Sequence, residues 1–434
     1  MSTALYAYYG DDFTGSTDVL EALAAAGLRS VLFLGPPSDE HLQRFSDCQA
    51  FGIAGDSRSR PPEWMDKHLP AIFTRLHSFG APIVHYKTCS TFDSSPQVGS
   101  IGRAMEIGRE TLKPPFIPIV VAAPHLRRYV VFGNLFAAAG DGVIYRIDRH
   151  PTMRQHPVTP MHEPDLRQHL AHQTPLHVDL IDLPTVQTGR LERELTSRLA
   201  AGANAILFDG VERHDVEETG RLLWHFARQH PLFAVGSSGL TYGLAAAWQR
   251  ENAAPSAPGR AASRQPEAVD SLLVMSGSCS PVTERQIAHA LRNGYEGIAI
   301  EGRSPEACVK ETVAALRRCR KIVVYSSLGP LPAAVPARGS PLGRQIGSML
   351  RQIIIETGVR RVVLAGGDTS SHAVSQLGLY ALTWSATTQP GAPLCLTHSD
   401  SPELDGLELV LKGGQVGTED FFEQVREGQQ TKSV

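Results

Sequence analysis

Three stretches of the chain combine residue types that can hold and move negative charge. Asp11 and Asp12 stand side by side between an apolar run at residues 4–9 and Phe13-Thr14-Gly15-Ser16-Thr17-Asp18. Two adjacent carboxylates can orient a hydroxyl or accept its proton, and they exceed what one helix cap needs; the plainer reading is one cap and one solvated side chain. Lys87-Thr88-Cys89-Ser90-Thr91-Phe92-Asp93-Ser94-Ser95 gathers a cation, several hydroxyls and a thiol, a donor set suited to a polyhydroxylated anion. No histidine partner is identifiable that would make Cys89 a nucleophile. Arg58, in Gly55-Asp56-Ser57-Arg58-Ser59-Arg60, carries the fork that matches a carboxylate, although a solvated loop arginine fits the same pattern equally. The third stretch, Val362-Val363-Leu364-Ala365-Gly366-Gly367-Asp368-Thr369-Ser370-Ser371-His372-Ala373, reads as a buried strand, a two-glycine turn and a helix start. Unpaired N–H groups at such a turn, with glycines that let a ligand approach the main chain, make an anion site. An ordinary tight turn with an N-cap is the alternative.

The elements that must position these residues follow the pattern of α/β folds. The apolar run at 4–9, a helical segment at 19–26 closed by Gly27, and a strand at 30–34 form a βαβ opening. Further strands are expected at 50–54, 82–86, 119–123, 205–209 and 232–236, the last running into Gly236-Ser237-Ser238-Gly239-Leu240. A hairpin is expected around Tyr129-Val130-Val131-Phe132-Gly133. From 251 to 269 the composition shifts to Ala, Pro, Ser, Gly and Arg, which marks a linker between domains at 1–250 and 270–434. Beyond it, strands at 272–275, 298–300, 322–325, 362–365 and 407–411 alternate with helices at 281–291, 306–318 and 342–356. The predicted fold class is therefore α/β: two α/β domains with mainly parallel sheets facing a shared cleft. In such sheets ligands bind beyond the carboxyl ends of strands, where all three stretches fall.

Composition narrows the function classes. A chain of 434 residues with 42% hydrophobic residues can bury more than one core, and a net charge of -3 gives no footprint for nucleic acid or for an anionic membrane. No apolar run approaches the ~20 residues of a membrane span, and Met1-Ser2-Thr3-Ala4-Leu5 lacks a charged leader start, so the expected location is the cytoplasm. The six cysteines are scattered without ligand spacing. His150, His156, His162, His169, His172 and His177 lack the i, i+4 spacing of a helical zinc pair, and no metal ligands are identified. The chain has neither a Walker lysine nor a three-glycine dinucleotide fingerprint, and its oligomeric state is left open, a homo-oligomer included.

Taken together, Asp11-Asp12-Phe13-Thr14-Gly15, Gly236-Ser237-Ser238-Gly239-Leu240, Ser276-Gly277-Ser278-Cys279-Ser280, Gly366-Gly367-Asp368-Thr369-Ser370 and Leu411-Lys412-Gly413-Gly414 resemble the four-carbon acid sugar kinases. The resemblance spans nearly the whole chain. It implies an N-terminal domain that binds the acid sugar, a C-terminal domain that binds ATP, and phosphoryl transfer across the cleft with Mg²⁺. It places Ser278, Gly366, Gly367, Asp368, Thr369 and Gly414 at the nucleotide, and Asp12, Arg58 and the 87–95 loop at the sugar. Where threonate and erythronate kinases carry Lys-Lys-x-Asp-Ser-Thr-Leu-Arg-Gly, this chain has Lys87-Thr88-Cys89-Ser90-Thr91-Phe92-Asp93-Ser94. With His156-Pro157-Val158-Thr159-Pro160-Met161, that loop looks like the branch acting on 3-oxo-tetronate, a branched relative of it being open as well. The expected chemistry is in-line transfer to a terminal hydroxyl, with Asp12 orienting or deprotonating it, Asp11 second, Lys87 offsetting charge, and Arg58, Thr88, Cys89, Ser90 and Thr91 contacting the sugar. Two rival classes are a binding protein without turnover and a dinucleotide-dependent oxidoreductase, the latter disfavoured by the missing fingerprint.

Overall fold

In a computed structural model of the chain, residues 4–251, 253, 265–329 and 339–429 are described, the side chains of 339, 340 and 368 excepted. Most of the linker expected at 251–269 lies outside these residues. The chain divides into two compact units, Met1–Ser30 with Ser38–Pro258, and Val31–Pro37 with Gly259–Val434. Among the described residues no helix is long and apolar enough to cross a membrane.

In the first unit, strands β1 (Tyr6–Gly10), β3 (Ala50–Ala54), β4 (Ile83–Lys87), β5 (Ile117–Val120), β9 (Val178–Ile181), β10 (Ala205–Phe208) and β11 (Leu232–Gly236) form one sheet. Their order is β3-β1-β4-β11-β5-β10-β9, and every pairing is parallel. Strands β1, β3, β4, β10 and β11 are buried along their whole length, as continuous apolar and aromatic runs must be when both faces are covered. From β1 the chain moves to β3 on one side and then crosses to β4 on the other. The order therefore reverses between β1 and β4, and a crevice opens at their carboxyl ends. Three short strands, β6 (Arg128–Val131), β7 (Asn134–Ala138) and β8 (Ile144–Arg146), make a separate antiparallel sheet, with Phe132-Gly133 at the expected hairpin turn.

The second unit repeats the logic. Strands β12 (Leu272–Ser276), β13 (Glu296–Ala299), β14 (Lys321–Tyr325), β15 (Arg361–Ala365) and β18 (Glu408–Lys412) run parallel in the order β13-β14-β12-β15-β18. Here the reversal lies between β12 and β15, beside the 276–280 and 366–370 turns. Two features differ from the sequence expectation. A long antiparallel hairpin, β16 (Leu379–Gln389) with β17 (Ala392–Ser399), follows the parallel core, turning at Pro390-Gly391 with Gly391 at φ 79. Strand β2 (Ser30–Phe33), expected within the first domain, runs antiparallel to β16 with Leu32 opposite Leu382 and Phe33 opposite Ala381, so residues 31–37 count with the second unit.

Close helix packing in the first unit depends on two glycines. A Cβ added to Gly220, in the helix Arg213–Ala227, would lie 2.2 Å from the carbonyl carbon of Gly243 in the helix Ser238–Arg250. Backbone cannot give way as a side-chain end does, so Gly220→Ala is expected to cost roughly 1–3 kcal/mol in urea unfolding. Gly35→Ala, where no described heavy atom lies within 4 Å of the added carbon, should change stability by no more than about 0.5 kcal/mol. Equal midpoints for the two variants would show that the helices have room to separate.

Candidate active site

At the β1/β4 crevice the strand ends are laced together by main-chain bonds. Asp11 N donates to Lys87 O (2.9 Å), Arg58 N to Asp11 O (3.1 Å), and Thr88 N to Gly236 O (2.7 Å). Ser57 Oγ and Tyr86 Oη, 2.9 Å apart, tie the loop after β3 to β4, which fixes where Arg58 points. Asp12 caps the helix Phe13–Ala25, its Oδ1 accepting from Gly15 N at 2.6 Å. Its other oxygen accepts from Arg58 Nη1 at 2.9 Å, while Arg58 Nη2 donates to Asp93 Oδ2 at 2.7 Å. Asp93 is fully built in: Thr91 Oγ1 donates to its Oδ1 (2.5 Å) and Thr159 Oγ1 to its Oδ2 (3.1 Å). Lys87 is buried, and its ammonium sits at the same turn, since a Cβ on Gly15 would lie 2.8 Å from Nζ and 2.5 Å from Asp12 Oδ1.

Burial and charge set Asp93 apart from Asp11. Burial would raise Asp93, yet the Arg58 guanidinium and the Thr91 hydroxyl outweigh it and hold the group at about 2. Asp11 moves the other way, pushed up to about 8, first by burial and then by the charge of Asp12, against the pull of Arg58 and Lys87. Arg58 is kept cationic because Asp93, foremost among its neighbours, overcomes the cost of burying it. Three buried side-chain atoms at this edge, Asp11 Oδ1, Thr14 Oγ1 and Thr88 Oγ1, have no hydrogen-bond partner among the described residues. Buried polar atoms are rarely left so, and a cluster of them at a crevice fits a polar ligand.

In the second unit the three glycine turns converge at one sheet edge. Gly366 N donates to Lys412 O (2.8 Å), and Gly277 N to Ala365 O (3.1 Å). Gly366 has φ 119, open to glycine only, and lets the helix Gly367–Val374 start directly at the strand end. A Cβ on Gly277 would meet Thr369 Oγ1 at 2.3 Å, and one on Gly414 would meet Ser278 Oγ at 2.8 Å. By contrast, no described heavy atom lies within 4 Å of a Cβ built on Gly367. The turn thus presents main-chain N–H groups and open space together, as a phosphate site needs.

The sequence-derived sites fall into two groups. Asp11, Asp12, Arg58, Lys87, Thr88, Cys89 and Thr91 meet at the first crevice, Thr91 also donating to Cys89 Sγ at 3.0 Å. Ser90 is half-buried on the same loop. Ser278, Gly366, Gly367, Thr369 and Gly414 meet at the second; the Asp368 side chain lies outside the described residues. Arg58 is not an open fork, because Asp12 and Asp93 each engage one of its nitrogens. Asp93, Thr159 and Lys412 carry no assigned role from sequence, although the 87–94, 156–161 and 411–414 motifs contain all three. Their signal would have been charge or hydroxyl without an obvious capping use. Three of the six histidines at 150–177 make local or loop-to-loop contacts: His150 Nδ1 accepts from Thr152 N and Met153 N, His156 Nδ1 from Thr159 N, and His169 Nε2 meets Ser94 Oγ.

One unit thus carries a crevice with unpartnered polar atoms, and the other a glycine-lined turn with open main-chain N–H groups. Residues 6–244 match a family described as a sugar-binding N-terminal domain, and residues 273–422 one described as a nucleotide-binding C-terminal domain. The chain is 43% identical to a 3-oxo-isoapionate kinase of Paraburkholderia graminis, over 98% of this chain and 94% of that protein. It is 32% identical to a 3-oxo-tetronate kinase of Methylobacterium radiotolerans, over 95% and 96% of the two chains. Among solved structures, a Salmonella typhimurium LT2 protein superposes with a TM-score of 0.79 at 23% identity, covering 99% of this chain and 100% of that one. A Haemophilus influenzae protein does so with a TM-score of 0.71 at 23% identity, covering 96% and 98%. The chain belongs to the four-carbon acid sugar kinase family, phosphotransferases with an alcohol group as acceptor.

The raised Asp11 has a measurable consequence. Its folded value of about 8 lies above its ordinary 3.8, so between the two the folded chain keeps a proton that the unfolded chain has shed. Its contribution to stability is present below about pH 4 and is lost as pH rises through 8. Asp11→Asn keeps the neutral shape without titrating. The unfolding free energy of the wild type relative to Asp11→Asn should therefore fall from pH 5 to about pH 8 and level off above it, and a flat difference throughout would mean that Asp11 is already ionised.

Proposed function

We propose that this chain transfers the γ-phosphoryl group of ATP to the terminal hydroxyl of a 3-oxo acid sugar, with a branched acid such as 3-oxo-isoapionate ahead of 3-oxo-tetronate. Support for the branched acid comes from the higher identity to the 3-oxo-isoapionate kinase, 43% against 32% for the first of the 3-oxo-tetronate kinases. Support for an acid sugar comes from the first crevice, where unpartnered Asp11 and Thr88 oxygens adjoin Arg58 and Lys87. That cluster is the observation on which the reading chiefly rests. Threonate and erythronate are the alternatives, disfavoured by the 87–95 loop.

In this reading the charges at the crevice nearly balance before substrate arrives. Arg58 and Lys87 face Asp12 and Asp93, while Asp11 stays neutral, so a sugar carboxylate meets no net repulsion. Arg58 has five N–H donors, and the two aspartates engage two of them, which leaves donors for a substrate carboxylate. Asp12, steadied by Gly15 N and Arg58, orients the acceptor hydroxyl, and Lys87 offsets charge on the transferring group. Thr88, Cys89, Ser90 and Thr91 supply contacts to the sugar hydroxyls. Ser278, Thr369, Gly414 and the Gly366-Gly367 turn hold the nucleotide, its phosphates on the main-chain N–H groups, with Asp368 beside them. Mg²⁺, when bound, would be held by the nucleotide phosphates together with a carboxylate such as Asp368 or Asp12. Its chemistry is to neutralise charge on the phosphates.

ADP formation on a panel of 3-oxo-isoapionate, 3-oxo-tetronate, threonate and erythronate tests the substrate. Turnover should be fastest with the branched 3-oxo acid and fall by about 10²–10⁴ in Asp12→Asn with little change in ATP affinity. No stimulation by any acid on the panel would overturn the substrate reading. The nucleotide site has its own test in Gly367→Val. The fold has room for that side chain, so the protein should unfold like wild type while calorimetry finds ATP·Mg²⁺ binding weakened at least tenfold. Undiminished affinity would move the nucleotide elsewhere.

A further inference from the structure

Behind the nucleotide turns lies a basic side chain that meets no opposite charge among the described residues. Lys412, the last residue of β18, is 0% exposed. Its ammonium donates to Thr283 Oγ1 at 3.0 Å and to Gly413 O at 2.9 Å. Thr283, equally buried in the helix Pro281–Arg292, passes the contact on by donating to Gly414 O at 2.9 Å. The carbonyl of Lys412 meanwhile accepts from Gly366 N at 2.8 Å. One residue thus holds the β18 turn through its side chain and the β15 turn through its main chain, and through Gly414 it sets the wall against Ser278.

Both partners of the ammonium are neutral oxygens. The described charged and titratable groups on the surrounding elements have other contacts, and the Asp368 side chain lies outside the described residues. Arg361 and Glu408 pair with each other at 2.7 Å, at the opposite ends of β15 and β18. Arg285 of the Pro281 helix pairs with Glu419 at 3.4 Å, and the Glu284 carboxylate lies against Gly329. His289 and Arg292 belong to the last turn of that helix, and His372 packs its Cβ against Gly343. Burial is the one cause that brings Lys412 down to about 7 from an ordinary 10.5. A buried cation with only neutral acceptors is unfavourable until an anion joins it.

ATP phosphates on the adjoining turns supply that anion, so the role of Lys412 rests on the nucleotide site proposed for those turns. We propose that Lys412 is a positioning residue whose ammonium provides the buried positive charge beneath the nucleotide turns, and that it takes up a proton from solvent as the polyphosphate settles there. The step forms one N–H bond on the neutral amine, and the proton comes from water and buffer. Nucleotide affinity is thereby tied to pH above neutrality.

Calorimetry with a non-hydrolysable ATP analogue and Mg²⁺, in buffers of different ionisation enthalpy, reads the proton directly. At pH 8, where the nucleotide's own phosphates are ionised, wild type should take up close to one proton per nucleotide bound, and at pH 6 close to none. Affinity should weaken towards tenfold per unit between pH 8 and pH 9. Lys412→Arg keeps a permanent charge, so it should bind without proton uptake and with pH-independent affinity. Binding by wild type at pH 8 with no proton taken up would overturn the inference, and that measurement needs no variant to fold. Uptake that persists in Lys412→Arg would overturn it too, by placing the proton elsewhere. The nucleotide site and the proton fail in different ways. If Gly367→Val binds the analogue like wild type, the nucleotide site has failed; if Gly367→Val loses binding and wild type takes up no proton, only the role of Lys412 has failed.

Discussion

A parallel sheet sends every strand's carboxyl end to the same edge, and the strand order decides which ends are neighbours. The rest of this structure depends on that constraint twice. In the first unit the order reverses between β1 and β4, so Asp11, Asp12 and the 87–95 loop share a crevice although some 75 residues part them. In the second it reverses between β12 and β15, which joins Ser278 to Gly366, and the parallel neighbour β18 adds Gly414. Parallel pairing alone would bring the loops to one edge. The reversals leave room between them.

What fills that room is governed by charge in low dielectric. The carboxylates of the first crevice are answered nearby: Asp93 has Arg58 and two hydroxyls, and Asp12 has Arg58 and a helix N-terminus. Asp11 has no described partner for Oδ1, and burial together with the charge of Asp12 outweighs the pull of Arg58 and Lys87, so it keeps its proton. A neutral Asp11 gives the site a donor where a second carboxylate would repel an acid substrate. In the second crevice burial acts on a base instead, drawing Lys412, whose described partners are neutral oxygens, down to about 7.

Much of this is legible in the sequence because it is local. Apolar runs followed by glycine, aspartate or serine mark strand ends, and every chemistry-bearing turn singled out that way lies at a carboxyl edge. Partnership is not legible. Arg58 reads as a free fork, and only the fold reveals that Asp12 and Asp93 hold it from positions 46 and 35 residues away. Thr159 reaches Asp93 across 66 residues, which ties the 156–161 stretch to the 87–95 loop for a reason that spacing does not express. Lys412 sits in an apolar run, where a lysine looks like a strand end meeting solvent, yet it is fully buried. The β16–β17 hairpin escapes the apolar pattern because β16 is only half-buried along much of its length and mixes Thr and Ser with aromatics, although Pro390-Gly391 signals the turn. Strand β2 has the apolar pattern of any inner strand, and the unit to which it is joined is decided by a partner some 350 residues later.

The destination of the phosphoryl group decides most directly whether the chain is this kind of kinase. Phosphorus NMR with proton coupling, on the product formed from ATP and 3-oxo-isoapionate, reads that bond. The expected product is a phosphomonoester whose phosphorus couples to the two protons of a terminal methylene, formed in step with ADP. Inorganic phosphate alone, or an acyl phosphate on the carboxylate, would contradict it.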